Sequence, residues 1–168
     1  IDSINNQISS KTILTTSKRR FQEFVESYGT LALPFWCETV PEVIQFEKVK
    51  RLKEVGLQAI NIGLESGNEA FRQKILKRKV SDQRIIHGVS EALRTGAKVG
   101  VNAIIGFPGE TRNNIFETIE LIREINPTSS MVHFFQPYRK TPLRDTCLET
   151  GLISEDHFCG DYRFQALG

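Results

Sequence analysis

One unit is written twice in the middle of this chain. Leu52-Lys53-Glu54-Val55-Gly56 ends a helical stripe and leads into the apolar segment Ala59–Leu64. Ala92-Leu93-Arg94-Thr95-Gly96 ends another and leads into Lys98–Ile105. Each apolar segment stops at glycines and a carboxylate: Gly63-Leu64-Glu65-Ser66-Gly67 in the first, Gly106-Phe107-Pro108-Gly109-Glu110-Thr111 in the second. Strands that alternate with helices must be joined by crossovers, and crossovers make the strands parallel. The strands are short and rich in Val and Ile, as in a sheet buried on both faces. Parallel strands send their C-terminal ends to one side, and in such folds ligands bind there. Neither turn carries a phosphate-loop or dinucleotide fingerprint.

The rest of the chain extends the pattern. Phe21, Phe24, Val25 and Tyr28 predict a helix over Lys18–Tyr28 with Gly29 as its C′ stop. Leu31–Cys37 reads as a strand ending near Glu38, although Pro34 sits poorly in it. Pro41 suits a helix start, and Phe46, Val49, Leu52 and Val55 form a stripe that stops at Gly56. Helices are predicted over Glu69–Leu76 and over Asp82 to Thr95, the second with Ser81 as N-cap and Gly96 as C′. Arg112–Ile125 should turn Ile115, Ile119, Ile122 and Ile125 inward before Asn126-Pro127 stops it. Met131–Phe135 reads as a fourth strand and Pro142–Thr150 as a helix. About four parallel strands are too few to close a barrel. The class is therefore α/β, either an open sheet or part of a barrel.

Bulk properties narrow the function. With 168 residues the chain can bury one real core. Lys+Arg is 22 against Asp+Glu 20, so the net charge of +2 does not call for a nucleic-acid partner. The longest apolar run, Val99–Phe107, is interrupted by Asn102 and is too short to span a membrane. The first residues are polar and show no signal peptide. Three scattered cysteines, Cys37, Cys147 and Cys159, argue against a disulfide framework and suit a reducing cytoplasm. The chain lacks an initiator Met, and Ile1-Asp2-Ser3 reads as the end of a strand, so a longer protein is expected.

Glu38, Glu65, Asn102, Glu110 and Gln136 each fall at or near a predicted strand end and should converge on one face; the competing reading is that some cap turns or helices. Asn102 interrupts an apolar strand, where burial without a partner costs roughly 1–3 kcal/mol. It is therefore hydrogen-bonded in the interior or faces a ligand, and Asn61 raises the same question. Gly106, Pro108 and Gly109 leave room for a flat ligand against the backbone; the competing reading is an ordinary strand-to-helix turn. The basic clusters at 18–20, 48–53, 74–79 and 139–140 read as solvated surface. His87 and His133 make no metal set with each other or with a cysteine, and no nucleophile–base pair is visible.

Taken in order, Gly63-Leu64-Glu65-Ser66-Gly67-Asn68-Glu69, Ile75-Leu76-Lys77-Arg78, Asn102–Thr111 and Phe135-Gln136-Pro137-Tyr138-Arg139-Lys140-Thr141-Pro142-Leu143 resemble the second half of a radical S-adenosylmethionine domain. The last segment resembles the subgroup that carries a cobalamin-binding domain. The resemblance implies the C-terminal portion of a partial (β/α)6 TIM-like barrel over residues 1–150, with 151–168 as a C-terminal extension. It implies an enzyme that uses the small-molecule cofactor S-adenosylmethionine, cleaving it reductively to a 5′-deoxyadenosyl radical, and it leaves the substrate unknown. It also implies a 4Fe–4S cluster, whose CxxxCxxC ligands this sequence lacks and which would come with the N-terminal half of the barrel; cobalamin is a further possible cofactor. Without that segment the chain alone is expected to be inactive. By the same resemblance Glu38, Glu65 and Ser66 would meet the ribose or methionine end, and Lys77 or Arg78 the methionine carboxylate. Asn102 would face the ribose, and Ile104, Gly106 and Phe107 the adenine. The chain departs from the family pattern at Asn102, where a glycine is usual, at Glu110, one residue late, and at Arg139-Lys140. Two other readings stand beside this one: an unrelated β/α-barrel enzyme, and a non-catalytic barrel serving as a binding module.

Overall fold

A computed structural model describes residues 7–8, 11–31 and 33–159 of the chain. In chain order the elements are β1 (Gln7–Ile8), α1 (Lys11–Thr15), α2 (Lys18–Gly29), β2 (Phe35–Thr39), a 3-10 turn (Pro41–Val43), α3 (Phe46–Glu54), β3 (Leu57–Glu65), α4 (Glu69–Lys74), α5 (Asp82–Arg94), β4 (Lys98–Ile105), α6 (Arg112–Ile125), β5 (Ser129–Phe134) and α7 (Pro142–Glu149). The strands form one parallel sheet in the order β1-β2-β3-β4-β5. Four strands of five residues or more match the expected number; the two-residue β1 and the helix α1 were not anticipated. The strand end read at Asp2-Ser3 and the tail beyond Cys159 lie outside the described residues. No described helix is long and apolar enough to cross a membrane.

Only one face of the sheet is sealed. Phe35, Cys37, Ile60, Ile62, Leu64, Val99 and Val101 alternate along β2–β4 and pack with Val49 and Leu52 of α3, Ile85, Val89 and Ala92 of α5, and Leu121 and Ile125 of α6. The alternate residues, Trp36, Glu38, Asn61, Gly63, Asn102 and Ile104, are half-buried or exposed on the other, open face. The expectation of a sheet buried on both faces therefore fails among the described residues. The helices fill one side, and the period of two places polar residues on the other.

Three local expectations also shift. Gly29 is the last residue of α2 rather than its stop. Thr30 caps the helix in the right-handed region and donates its hydroxyl to the Ser27 carbonyl, and Gly29 tucks under Val55. β2 begins at Phe35, after Pro34, and runs through Glu38 to Thr39. In α6 the buried face is Thr118, Leu121 and Ile125, while Ile119 is 46% exposed and Ile115 and Ile122 are half-buried. In this orientation the Thr118 hydroxyl accepts from the Gly67 N–H at 2.7 Å, a buried bond that joins α6 to the turn after β3.

Candidate cofactor-binding site

A cavity of about 740 Å3 opens at the C-terminal end of the sheet. Glu65 from the end of β3, Arg78 from the segment between α4 and α5, and Ile104 and Phe107 from the end of β4 line it together, as do Lys77 and Leu143. Four of the eight sequence-predicted site residues thus share one space.

The β3 end is built by an irregular step. Glu65 adopts φ +68°, and the register with β4 slips between Gly63 and Glu65. This folds the carboxylate back over Gly63, where a methyl group would sit 2.7 Å from Oε1. The Arg78 guanidinium lies over the same spot. It donates to the Gly63 carbonyl and to both oxygens of Glu42 at 3.3–3.4 Å, and it approaches Glu65 Oε1 at 3.9 Å. Arg78 is therefore largely engaged by the protein. Its neighbour Lys77 lines the same cavity with a left-handed backbone, φ +54°, and has no hydrogen-bond or ion-pair partner among the described residues. The sequence left the cation's identity open between 77 and 78; the geometry frees Lys77.

Ser66 is wholly buried. Its hydroxyl accepts from the Asn68 N–H at 3.3 Å and its carbonyl accepts from Arg72 at 2.8 Å, so it shapes the turn from within. Asn102 sits in the same row as Gly63 on the open face, half-buried, and its side chain has no hydrogen-bond partner among the described residues. The alternative of an interior hydrogen bond for Asn102 therefore has no support. Glu38 is exposed on that face, one residue before the end of β2 but in register with Asn61, four residues before the end of β3, and does not line the cavity.

The turn after β4 is held by a residue whose role the sequence could not assign. Glu110 Oε2 accepts from the Gly106 N–H at 2.6 Å and from the Phe107 N–H at 3.3 Å, and Oε1 is buried with no partner among the described residues. Glu110 thus turns inward on its own loop instead of joining Glu65. Gly106 and Gly109 adopt φ +82° and +78° with open space where a side chain would project. The Phe107 ring packs against Phe71 and Phe135 at centroid distances of 5.8 and 5.0 Å, which fixes the floor of the turn. Gly106 faces a smaller cavity of about 290 Å3 with Gln136, Cys147 and His157. Glu110→Ala should remove two backbone bonds worth about 1 kcal/mol together with their order. Amide exchange at Gly106 and Phe107 is then expected to quicken roughly tenfold, read by hydrogen exchange; unchanged exchange would show that the carboxylate does not hold the turn.

A family model described as the radical SAM superfamily matches residues 15–122. A GTP 3′,8-cyclase from Nautilia profundicola is 30% identical over 96 residues, 57% of this chain and 30% of that protein. A biotin synthase from Renibacterium salmoninarum is 28% identical over 108 residues, 64% of this chain and 31% of that one. Among solved structures, the radical S-adenosylmethionine methyltransferase TsrM from Kitasatospora setae, with cobalamin and a [4Fe-4S] cluster bound, superposes with a TM-score of 0.67 at 15% identity. The match covers 83% of this chain and 29% of that one. The coproporphyrinogen III oxidase HemN from Escherichia coli gives 0.63 at 18% identity over 73% of this chain and 30% of that one. These likenesses show the fold, that of a partial TIM-like barrel. The chain spans about a third of the length of the curated relatives it matches.

Proposed function

The chain belongs to the radical SAM superfamily, and from that premise we propose that it forms the adenosyl-binding side of an enzyme that reductively cleaves S-adenosylmethionine. When bound, S-adenosylmethionine would supply the chemistry: an electron from the family's 4Fe–4S cluster would break its sulfonium–C5′ bond to give methionine and a 5′-deoxyadenosyl group able to take hydrogen from substrate. The chain's own residues bind, orient and exclude water. The observation that carries this reading is the convergence of Glu65, Arg78, Ile104 and Phe107 on one cavity at the strand ends.

In this reading Glu65 accepts hydrogen bonds from the ribose hydroxyls or the methionine ammonium. Lys77 meets the methionine carboxylate, while Arg78 holds Glu65 and the β3 end in place. Ile104 lies against adenine, the Gly106 backbone lets the ring approach, and Phe107 supports the turn from below. Asn102 faces the ribose from the open side. Ser66 acts as a positioning residue. We take residues 1–150 as the barrel unit and 151–168 as its extension.

The family's iron–sulfur cluster does not fit the cysteines here. Cys37 is buried in the core on the sealed face, and Cys147 is buried near α7. Burial also pushes the Cys147 thiol up from its ordinary pKa, partly offset by Arg144, so it stays protonated. No group of three metal-ligating side chains occurs among the described residues. The cluster's ligands are therefore assigned to polypeptide other than this sequence. The turn at Pro137–Leu143 and the TsrM likeness favour the cobalamin-dependent subgroup, and a cytoplasmic setting suits the three sparse cysteines.

The test uses the full-length protein, reconstituted anaerobically with iron and sulfide. Under strong reductant it should release 5′-deoxyadenosine from S-adenosylmethionine; absence of that product counts decisively against the assignment. Glu65→Ala removes charge-assisted hydrogen bonds of about 1.5–3 kcal/mol. S-adenosylmethionine affinity should fall at least tenfold by calorimetry with the cluster's absorbance intact, and unchanged affinity removes Glu65 from the site.

A further inference from the structure

Below the cavity, on the open face, one row across the sheet is polar. Glu38 of β2 is in register with Asn61 of β3, Asn61 with Gly100 of β4, and Gly100 with Ser129 of β5. Gly100 leaves a gap in this row. The Asn61 carboxamide oxygen leans into it from one side, and Ser129 Oγ lies 3.4 Å from the point a methyl group would occupy. A side chain at position 100 would collide with Asn61. None of Glu38, Asn61 and Ser129 has a hydrogen-bond or ion-pair partner among the described residues. Trp36 lies two residues before Glu38 on the same face, half-buried. Lys98, one row lower and paired with Ala59, is exposed and forms no ion pair with Glu38.

We propose that this row is a substrate subsite for a protonated amine. The proposal rests on the reading that substrate enters the barrel interior beside the adenosyl cofactor. An ammonium group has three N–H donors and no acceptor. The row offers two oxygen acceptors beside a side-chain-free gap, a carboxamide and a hydroxyl, with a carboxylate on the next strand beyond Asn61. Charge complementarity comes from Glu38, the only charged side chain among the row's described residues. Carboxylate or phosphate groups find no donor cation in the row. The subsite is continuous with the cofactor cavity: Asn102 stands one row above Gly100, and Ile104, which lines that cavity, stands two rows above. Glu38 thereby moves from the cofactor to the substrate.

The experiment titrates the 15N-labelled full-length protein with n-butylamine, 1-butanol and butyrate, each with and without S-adenosylhomocysteine. Butylamine is expected to shift the Gly100 and Ser129 amide resonances and butyrate to leave them in place, with butanol intermediate. In Glu38→Gln the apparent butylamine affinity should fall at least tenfold while S-adenosylhomocysteine affinity stays within twofold. Glu38 is exposed, so this substitution does not threaten the fold. Asn61→Leu should weaken butylamine as well. Equal response to butyrate and butylamine, no response at Gly100, or a loss of S-adenosylhomocysteine binding in Glu38→Gln each overturns the proposal. If the wild-type protein fails to bind S-adenosylhomocysteine, the cofactor reading falls, and the titration without it still decides the amine subsite.

Discussion

Replacing Arg72 with leucine is expected to lower stability by about 3 kcal/mol, a fall in Tm of roughly 6–12 °C for a chain of this size. Arg72 is fully buried. Its guanidinium donates to the Ser66 carbonyl at 2.8 Å and the Val80 carbonyl at 3.3 Å, and it pairs with Asp82 at the first turn of α5. Leucine keeps the bulk but orphans both carbonyls. It also strands Asp82, whose side chain is 42% exposed and therefore loses less than a fully buried partner. Lysine is not expected to rescue, because one ammonium cannot reproduce the planar fork that reaches all three acceptors. The consequence extends beyond stability. Residues 75–81 loop around this guanidinium, and the Arg78 N–H bonds to the Arg72 carbonyl at 2.9 Å. With the post removed, the cavity wall bearing Lys77 and Arg78 should slacken, and S-adenosylmethionine affinity should fall together with Tm. Thermal unfolding of Arg72→Leu, Asp82→Asn and the double variant separates the parts: Asp82→Asn keeps both carbonyl bonds and should cost about 1 kcal/mol. Equal losses in the two single variants would place the stabilisation in the ion pair alone.

The strand-to-helix rhythm was legible because it follows local rules. Lys98–Ile105 and Arg112–Ile125 are found with their predicted bounds, the latter under a capping box formed by Thr111 and Asn114. Gly56 and Gly96 end their helices with positive φ, as C′ glycines should. The ordered glycine turns were enough to reach the family, since such turns mark where backbone must come near a ligand. What the sequence hid was which polar residues are used by the protein itself. Arg72 and Arg144 read like any surface cation, yet both are buried and both bind backbone carbonyls; Arg144 reaches those of Pro137, Glu155 and His157. Arg78 and Ser66 sit at the predicted place but are consumed by Glu42, Gly63, Asn68 and Arg72. Glu38 has the right spacing from its strand end to look like a cofactor ligand. Only the register, which pairs it with Asn61 rather than with a residue at the cavity, shows that it lies deeper. Register depends on distant partners, so a single strand cannot reveal it.

Gly67→Ala should cost about 3 kcal/mol, at the upper end for overpacking by one methyl group. A methyl group there would strike the backbone of α6, coming within 2.6 Å of the Glu117 carbonyl oxygen and the Thr118 nitrogen and closer still to Thr118 Cα. A side chain could swing aside, but backbone in the middle of a helix cannot, so α6 must shift outward from β3 and β4. That shift would also break the 2.7 Å bond from the Gly67 N–H to the Thr118 hydroxyl and strain the Asn68–Glu117 contact. Gly106→Ala provides the contrast. Nothing lies within 4 Å of its methyl position, so only the strain of φ +82° is added, about 1–2 kcal/mol. The two glycines therefore serve different ends, one admitting a helix and the other leaving the backbone of the β4 turn bare. Their variants should separate accordingly. Gly67→Ala is expected to drop Tm by roughly 6–12 °C, whereas Gly106→Ala should lower Tm by less and weaken S-adenosylhomocysteine binding by calorimetry at temperatures where both variants are folded. Equal Tm losses would mean that α6 gives way more easily than its backbone contacts imply.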